Sequence, residues 1–230
     1  MSSDLVKILT VFRRRADLTR EGFRGYYEGH HVKMAMEHVA EFGFRKYVRN
    51  HVVGPPGVEP GFDCLTEFFF ESLEQAGSSV GFMNSPEGRA FVLDELNFLD
   101  MTHHPSFELA ENVVAGPPRV VDAKGVRKHA LVLARAPGKG AEEFASGAFE
   151  QARALARDHA GEIHRLMLDV AVQGPGREPP WDAMLVLWPA DPHSPAAWLR
   201  WPDASDRAVR VELESLEEPP ECLAGTVLRN

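Results

Sequence analysis

One stretch of this chain occurs twice. The segment from Val52, VVGPPGVEPGFDCLTEFFF, returns from Ala171 as AVQGPGREPPWDAMLVLWP, with a Gly-Pro, a Glu-Pro, an aromatic-Asp pair and a continuous apolar run in the same order. VKILTVFRRRADLTREGF, from Val6 to Phe23, is echoed more loosely by KHALVLARAPGKGAEEF, from Lys128 to Phe144. Self-similarity at this distance means one supersecondary unit of roughly 110 residues used twice, a domain-sized length. The stretch AGPPRVVDAKG, residues 115–125, interrupts the apolar pattern with Gly, Pro and charge as a linker does. The predicted units are therefore 1–118 and 119–230.

The elements within the first unit follow from local pattern. Val6 to Phe12 is a β-branched apolar run, and Thr19 caps a helix with Glu21 in its first turn, where the helix dipole favours an anion. Residues from Gly43 to Val53 alternate as a strand, the loop Gly54 to Gly61 turns the chain, and Phe62 to Glu71 is the next strand. Ser72 with Gln75 forms a capping box, Ser85-Pro86 opens a further helix, and Phe107 to Val114 closes the unit. This is the βαββαβ order of the ferredoxin-like motif. The second unit repeats it, with strands near Lys128–Arg135, Ile163–Gln173, Trp181–Trp188 and Ala224–Arg229. A sheet with helices on one face must bury its other face. The expected class is α+β, two ferredoxin-like units packed sheet to sheet as an intrachain pseudo-dimer, an α+β barrel.

Composition supplies exclusions. A formal charge of −9 argues against nucleic acid and against anionic membrane surfaces. The two cysteines, Cys64 and Cys222, show neither a disulfide framework nor zinc-ligand spacing. No apolar run has bilayer-spanning length, and the N-terminal basic cluster follows its apolar run, the reverse of a secretory signal. A cytoplasmic location is expected.

The chemistry is expected on one helix and one strand. Phe23, Tyr27, His30 and Met34 fall at i, i+4, i+7 and i+11, one stripe facing the sheet, with His30 at its centre and His31 and His38 toward the rim. Strand alternation puts Tyr47 and His51 on one face, so His30, Tyr47 and His51 converge between helix and sheet. Two imidazoles and a phenol can take a proton from an acidic carbon or phenol and deliver one to a leaving hydroxyl without a cofactor. Glu67 stands in the apolar run LTEFFF, where a carboxylate needs a partner; the two roles open to it are orienting a histidine and a structural salt bridge to Arg45 or Arg49, and the salt bridge is expected. Aligning the halves puts Gln151 opposite His30, Ala148 opposite Tyr27, Met167 and Ala171 opposite Tyr47 and His51, Val186 opposite Glu67, and Asp182 opposite Asp63. The ionisable set thus belongs to the first half alone. Neither the His30-His31 nor the His103-His104 pair has metal-ligand spacing, so no metal is expected.

The stretches LTREGFRGYYEGHHVKMA, FGFRKYVRNHV, FDCLTEFFFESLE and VLDELNFLD resemble the EthD family of the dimeric α+β barrel superfamily. The likeness rests on the Phe-x2-aromatic-aromatic-x2-His spacing, the Tyr-x3-His strand and the Glu-aromatic-aromatic strand. Residues 126–229 look like a degenerate second copy. The resemblance implies a small-molecule cavity between sheet and helices, with His30, His51 and Tyr47 as catalytic residues and Phe23, Tyr27, Met34 and Glu67 lining the substrate. It implies a cofactor-independent enzyme of lyase, cyclase or isomerase type acting on a hydrophobic, oxygenated or polyketide-like compound. The alternatives are a cofactor-free monooxygenase and a non-catalytic small-molecule binder, and haem-dependent superfamily members bring haem into consideration. A further homo-oligomer of the pseudo-dimer is compatible with the same family.

Overall fold

The computed structural model describes residues 5–54, 59–102, 104–118, 125–174, 178–203, 205–218 and 223. Strand β1 (Val6–Phe12) leads through Thr19, whose side chain accepts from the Gly22 amide, into helix α1 (Arg20–Tyr26). The cap and Glu21 in the first turn are as the sequence predicts. Helix α1 continues into a five-residue π turn, Tyr27–His31, and then helix α2 (Val32–Glu37) and helix α3 (Val39–Phe42). Gly43 ends α3 with φ +71°, its amide bonded to the Val39 carbonyl. A side chain there would meet Gln75 at 2.8 Å and oppose the left-handed backbone, so glycine is required.

Strands β2 (Lys46–Val53) and β3 (Cys64–Phe70) follow. Helix α4 (Leu73–Met83) begins at Ser72, which accepts from the Gln75 amide, while the Gln75 side chain accepts from the Glu71 amide. Helix α5 (Arg89–Glu95) starts three residues later than Ser85-Pro86 suggests, because the Ser85 hydroxyl caps a preceding turn through the Gly88 amide. The chain continues with β4 (Ser106–Ala115), β5 (Val126–Ala134), helix α6 (Ala141–Asp158), β6 (Ile163–Ala171), β7 (Ala183–Pro189) and β8 (Arg207–Glu217). The last described strand is one that the sequence reading does not place. It lies at Arg207–Glu217, where Val209, Val211 and Leu213 alternate with polar residues; the expected Ala224–Arg229 strand lies outside the described residues.

The chain forms a mixed α+β fold with two compact units. The first takes the described parts of Met1–His51, Gly61–Ser106 and Glu217–Asn230; the second takes those of Val52–Pro60 and Phe107–Leu216. These units are not two consecutive halves meeting at 118/119, because β4 pairs antiparallel with β6.

In the first unit β3 is the central strand, antiparallel to β1 and β2, with Phe12 and His51 both opposite Cys64. Helices cover one face through Phe23, Tyr27, Val32, Ala35, Val39, Phe42 and Phe91, packed on Phe12, Tyr47, Cys64 and Phe70. Full burial of an aromatic or aliphatic side chain contributes about 1.5–3 kcal/mol, so this cluster holds the helices down. On the alternate face Lys7, Leu9, Val48, Asn50, Leu65, Glu67 and Phe69 are also buried.

In the second unit the antiparallel order is β4-β6-β7-β5-β8. Helix α6 lays Phe144, Ala148 and Ala152 on Leu131, Leu133, Leu166, Leu168, Leu185 and Leu187. The connection β5-α6-β6-β7 with β7 central repeats that of β1-helix-β2-β3 with β3 central. No helix among the described residues is long and apolar enough to cross a membrane.

Candidate functional site

His51 is the residue around which the first unit's polar groups gather. Its position on β2 turns the imidazole under the helices, where it is 1% exposed. Its Nε2 lies 2.6 Å from the Glu28 carboxylate, carried by the π turn. Arg49, one pleat away, donates to the same carboxylate from Nε at 3.0 Å and Nη2 at 2.9 Å, and from Nη2 to Glu218 at 2.8 Å. Its guanidinium sits 4.6 Å from the Tyr47 ring centre. The Tyr47 hydroxyl is 3.2 Å from that of Tyr27, which is 3.0 Å from the Thr66 hydroxyl, itself 3.5 Å from the Cys64 sulfur.

The electrostatics divide these groups into charged and neutral ones. Burial opposes ionisation of Glu28, but hydrogen bonds from His51 and Arg49 outweigh it and bring its pKa down to about 2. Burial likewise opposes a charged His51, yet Cys64 and Glu28 raise its pKa to about 9, so it is an imidazolium at neutral pH. Desolvation pushes the Tyr27 and Tyr47 hydroxyls up, which keeps both as neutral hydrogen-bond groups.

A second arrangement centres on His31. Its Nδ1 is 2.8 Å from Asp94, which also accepts from the Tyr26 hydroxyl at 2.5 Å and from Asn97 at 3.2 Å. The ring packs 4.2 Å from Phe91 and 4.7 Å from Phe98, centre to centre. Burial lowers the His31 pKa more than Asp94 raises it, so this imidazole is neutral at pH 7. The Tyr27 ring centre lies 5.6 Å from that of His31 and 5.7 Å from that of His51.

Of the residues expected from sequence, Phe23, Tyr27, Tyr47 and His51 do converge between helix and sheet, and Met34 packs half-buried against the same cluster. Two do not. His30 has a side chain 56% exposed, 3.3 Å from Asp94, while His31 takes the inward place. The cause is the π turn: an i→i+5 turn absorbs one extra residue and sets the helix phase back by about 100°. Glu67 is the second correction. It faces the opposite side of β3 from Cys64 and Thr66, pairing with Lys7 at 2.8 Å and accepting from Asn50 at 2.7 Å. The expected partners are engaged elsewhere, Arg45 with Glu71 and Arg49 with Glu28.

Sequence reasoning missed Glu28, His31, Asp94, Cys64 and Thr66. A signal for His31 was present: the buried positions 23, 27, 31, 35 and 39 advance by four each time, more than a 3.6-residue turn allows.

The register also corrects the comparison of the halves. Asp63 accepts from the Arg14 amide and guanidinium, and its own amide donates to the Phe12 carbonyl; Asp182 does the same with Arg135 and Leu133. With Cys64 thereby equivalent to Ala183, Tyr47, Arg49 and His51 correspond to Leu166, Leu168 and Val170 rather than to the face carrying Met167 and Ala171. Thr66 corresponds to Leu185, and Tyr27 and His31 to Ala148 and Ala152. Every counterpart is apolar.

Among the described residues no group of three or more His, Cys, Asp or Glu could hold a metal ion.

Comparison with the curated proteins finds no match. Among solved structures, a putative monooxygenase from Fusobacterium nucleatum subsp. nucleatum ATCC 25586 is 11% identical, with a TM-score of 0.55 over 94% of each chain. An anthrone oxidase-like protein is 10% identical, with a TM-score of 0.55 over 94% of each chain. At these identities the likeness is one of fold. The EthD domain family model matches residues 15–102, the segment that carries Glu28, His31, His51, Cys64 and Asp94.

Proposed function

We propose that the first unit is the catalytic part of a cofactor-independent small-molecule enzyme that moves protons on a hydrophobic, oxygenated substrate. The observation that carries this reading is one-sidedness. A row of buried hydroxyls, an imidazolium and a neutral imidazole lies between helices and sheet in one unit, and the equivalent row in the other is apolar. Buried polar groups cost stability unless paired, and an apolar row is sufficient for the fold, as the second unit demonstrates.

In this reading His31, neutral and oriented by Asp94, takes a proton from substrate. His51, charged and held by Glu28, is the proton donor, and the Tyr27 and Tyr47 hydroxyls hydrogen-bond the substrate carbonyl or enolate. His30, on the exposed side, has no part in the step. Dehydration, cyclisation and isomerisation all need this pair of transfers. The matched Asp63 and Asp182 clamps support a tandem origin, with a second copy that kept the fold and lost the polar row.

A cofactor-free oxygenase is the second reading, favoured by the likeness in fold to a putative monooxygenase and to an anthrone oxidase-like protein. There the same imidazole would deprotonate a phenol or anthrone that then reacts with dioxygen. Incubating the protein with anthrones and polyketide-like enones, with product mass and oxygen uptake followed together, separates the readings. Turnover without oxygen uptake, lost in His31→Gln and in His51→Gln, is expected. Stoichiometric oxygen uptake selects the oxygenase, and binding with no product for any of these compounds leaves a carrier protein.

A further inference from the structure

We propose that Cys64 is a nucleophile served by His51 and Glu28, and that it forms a covalent adduct with an α,β-unsaturated carbonyl or quinone bound in the first unit. The proposal rests on the substrate class inferred above and adds a covalent step to it.

A buried cysteine is ordinarily inert. The imidazole beside it makes the difference here. Cys64 on β3 stands directly opposite His51 on β2, and both side chains face the helices. Opposed side chains on neighbouring antiparallel strands have Cβ atoms about 4.5–5.5 Å apart. Glu28 occupies His51 Nε2 at 2.6 Å, whereas Nδ1 is buried with no hydrogen-bond partner among the described residues. A buried nitrogen of a charged ring left without a partner is costly, and Cys64 is the neighbour that most favours its proton, ahead of Glu28. Thiol, imidazole and carboxylate thus stand in the order of a nucleophile, its base and the group that orients the base. The second unit has Ala183 and Val170 at the two strand positions, so the arrangement is confined to the first unit.

The hydroxyl row suggests the electrophile. Thr66 lies 3.5 Å from the sulfur, and Tyr27 and Tyr47 continue the row, giving hydroxyl donors for an oxygen anion close to the sulfur. In the step, the proton shared by the Cys64–His51 pair stays on His51 Nδ1, which keeps the ring an imidazolium, while the sulfur pair forms a bond to the β-carbon. The carbon–carbon π pair moves to give an enolate, or a phenolate from a quinone, whose oxygen the hydroxyls bind. The imidazolium then returns the proton to the enolate. The sum is addition of S–H across a double bond, with no oxidant or reductant. Cys64 is 0% exposed, which confines the reaction to bound molecules rather than thiols and oxidants in bulk water.

The test uses the full chain carrying Cys222→Ser, so that Cys64 is its one thiol, with 2-cyclohexen-1-one as the probe and intact mass as the readout. A single adduct is expected on the peptide containing Cys64, absent in Cys64→Ala and formed about 100-fold more slowly in His51→Gln. Glu28→Gln provides a second slowed variant should His51→Gln not fold, and the guanidinium-unfolded chain gives the reactivity of the bare thiol. Native Cys64 reacting no faster than the unfolded thiol, or equally fast in folded His51→Gln, overturns the proposal. Wild-type turnover by Cys64→Ala overturns the covalent step and leaves proton transfer by His31 and His51 standing. Loss of turnover in His31→Gln with adduct formation intact supports both.

Discussion

Glu28→Gln exposes the electrostatics of the site with a single isosteric change. The Glu28 side chain is 21% exposed and neutralises two buried cations, His51 and Arg49. Raising His51 from its ordinary 6.5 to about 9, at about 1.4 kcal/mol per pH unit, corresponds to about 3 kcal/mol. Cys64 contributes more to that His51 shift than Glu28 does, so what Glu28→Gln removes is set by the fall of Glu28 itself from 4.5 to about 2 through His51 and Arg49, a similar figure of about 3 kcal/mol; the two share the His51–Glu28 contact and are not summed. The His51 contribution is complete below pH 6.5 and disappears as pH rises through about 9; that of Glu28 is complete above pH 4.5 and disappears as pH falls through about 2. Both are therefore in place between pH 4.5 and 6.5. Glu28→Gln removes about 3 kcal/mol at pH 6, since it leaves His51 charged and Arg49 with Glu218 alone. The loss shrinks above pH 9, where His51 is neutral. Urea unfolding at pH 6 and pH 10, with the His51 Cε1 proton titrated by NMR, measures both halves. The NMR midpoint should fall from about 9 but stay above the value burial alone would set, because Cys64 persists. A loss under about 0.5 kcal/mol at pH 6, or an unmoved midpoint, refutes the reasoning.

Three further outcomes are expected. His30→Ala changes stability by less than about 0.5 kcal/mol, whereas His31→Ala opens a space beside Phe91 and Phe98 and strips Asp94 of a partner, costing about 2–4 kcal/mol by chemical denaturation. Burial and then Asp94 hold the Glu95 pKa up at about 7, so its ionisation penalises the folded state above that pH and not below 4.5; Glu95→Gln should stabilise by up to about 3 kcal/mol at pH 8 and be neutral at pH 4. Asp63→Ala and Asp182→Ala each leave a buried or half-buried arginine and a backbone amide without their acceptor, and each should lower the unfolding midpoint measurably, with Asp63, which also holds Arg20 at 3.2 Å, the more severe.

How far the chain could be read in advance depended on the range of the interactions. Thr19, Ser72 and the apolar runs act within one turn or one strand, and the elements they announce are where they were expected. Tyr47 and His51 share a face because a strand has a period of two whatever surrounds it. The helix was harder, since its phase depends on a backbone hydrogen-bond pattern that changes within Tyr27–His31, and residue types alone do not report that change. Glu67 was misjudged for a related reason. Its neighbours Arg45 and Arg49 are on the adjacent strand, but its partner Lys7 comes from the other side of β3, and register decides between them. Strand β8 was overlooked because its outward residues are mostly charged, so its hydrophobic content is low although its alternation is regular.

The wide turn at Tyr27–His31 has a consequence for comparing this helix with others. Residues before it and residues after it obey one geometry each, offset by one position. An alignment that runs without a gap through a relative with a regular helix there would equate His30 with whatever faces that relative's sheet, and would do so at high similarity. Placing a one-residue gap between Tyr27 and Val32 restores the spatial match. A deletion of Gly29, where an added Cβ would meet open space, is the molecular form of that gap and would make the helix regular while leaving His31 as the inward histidine.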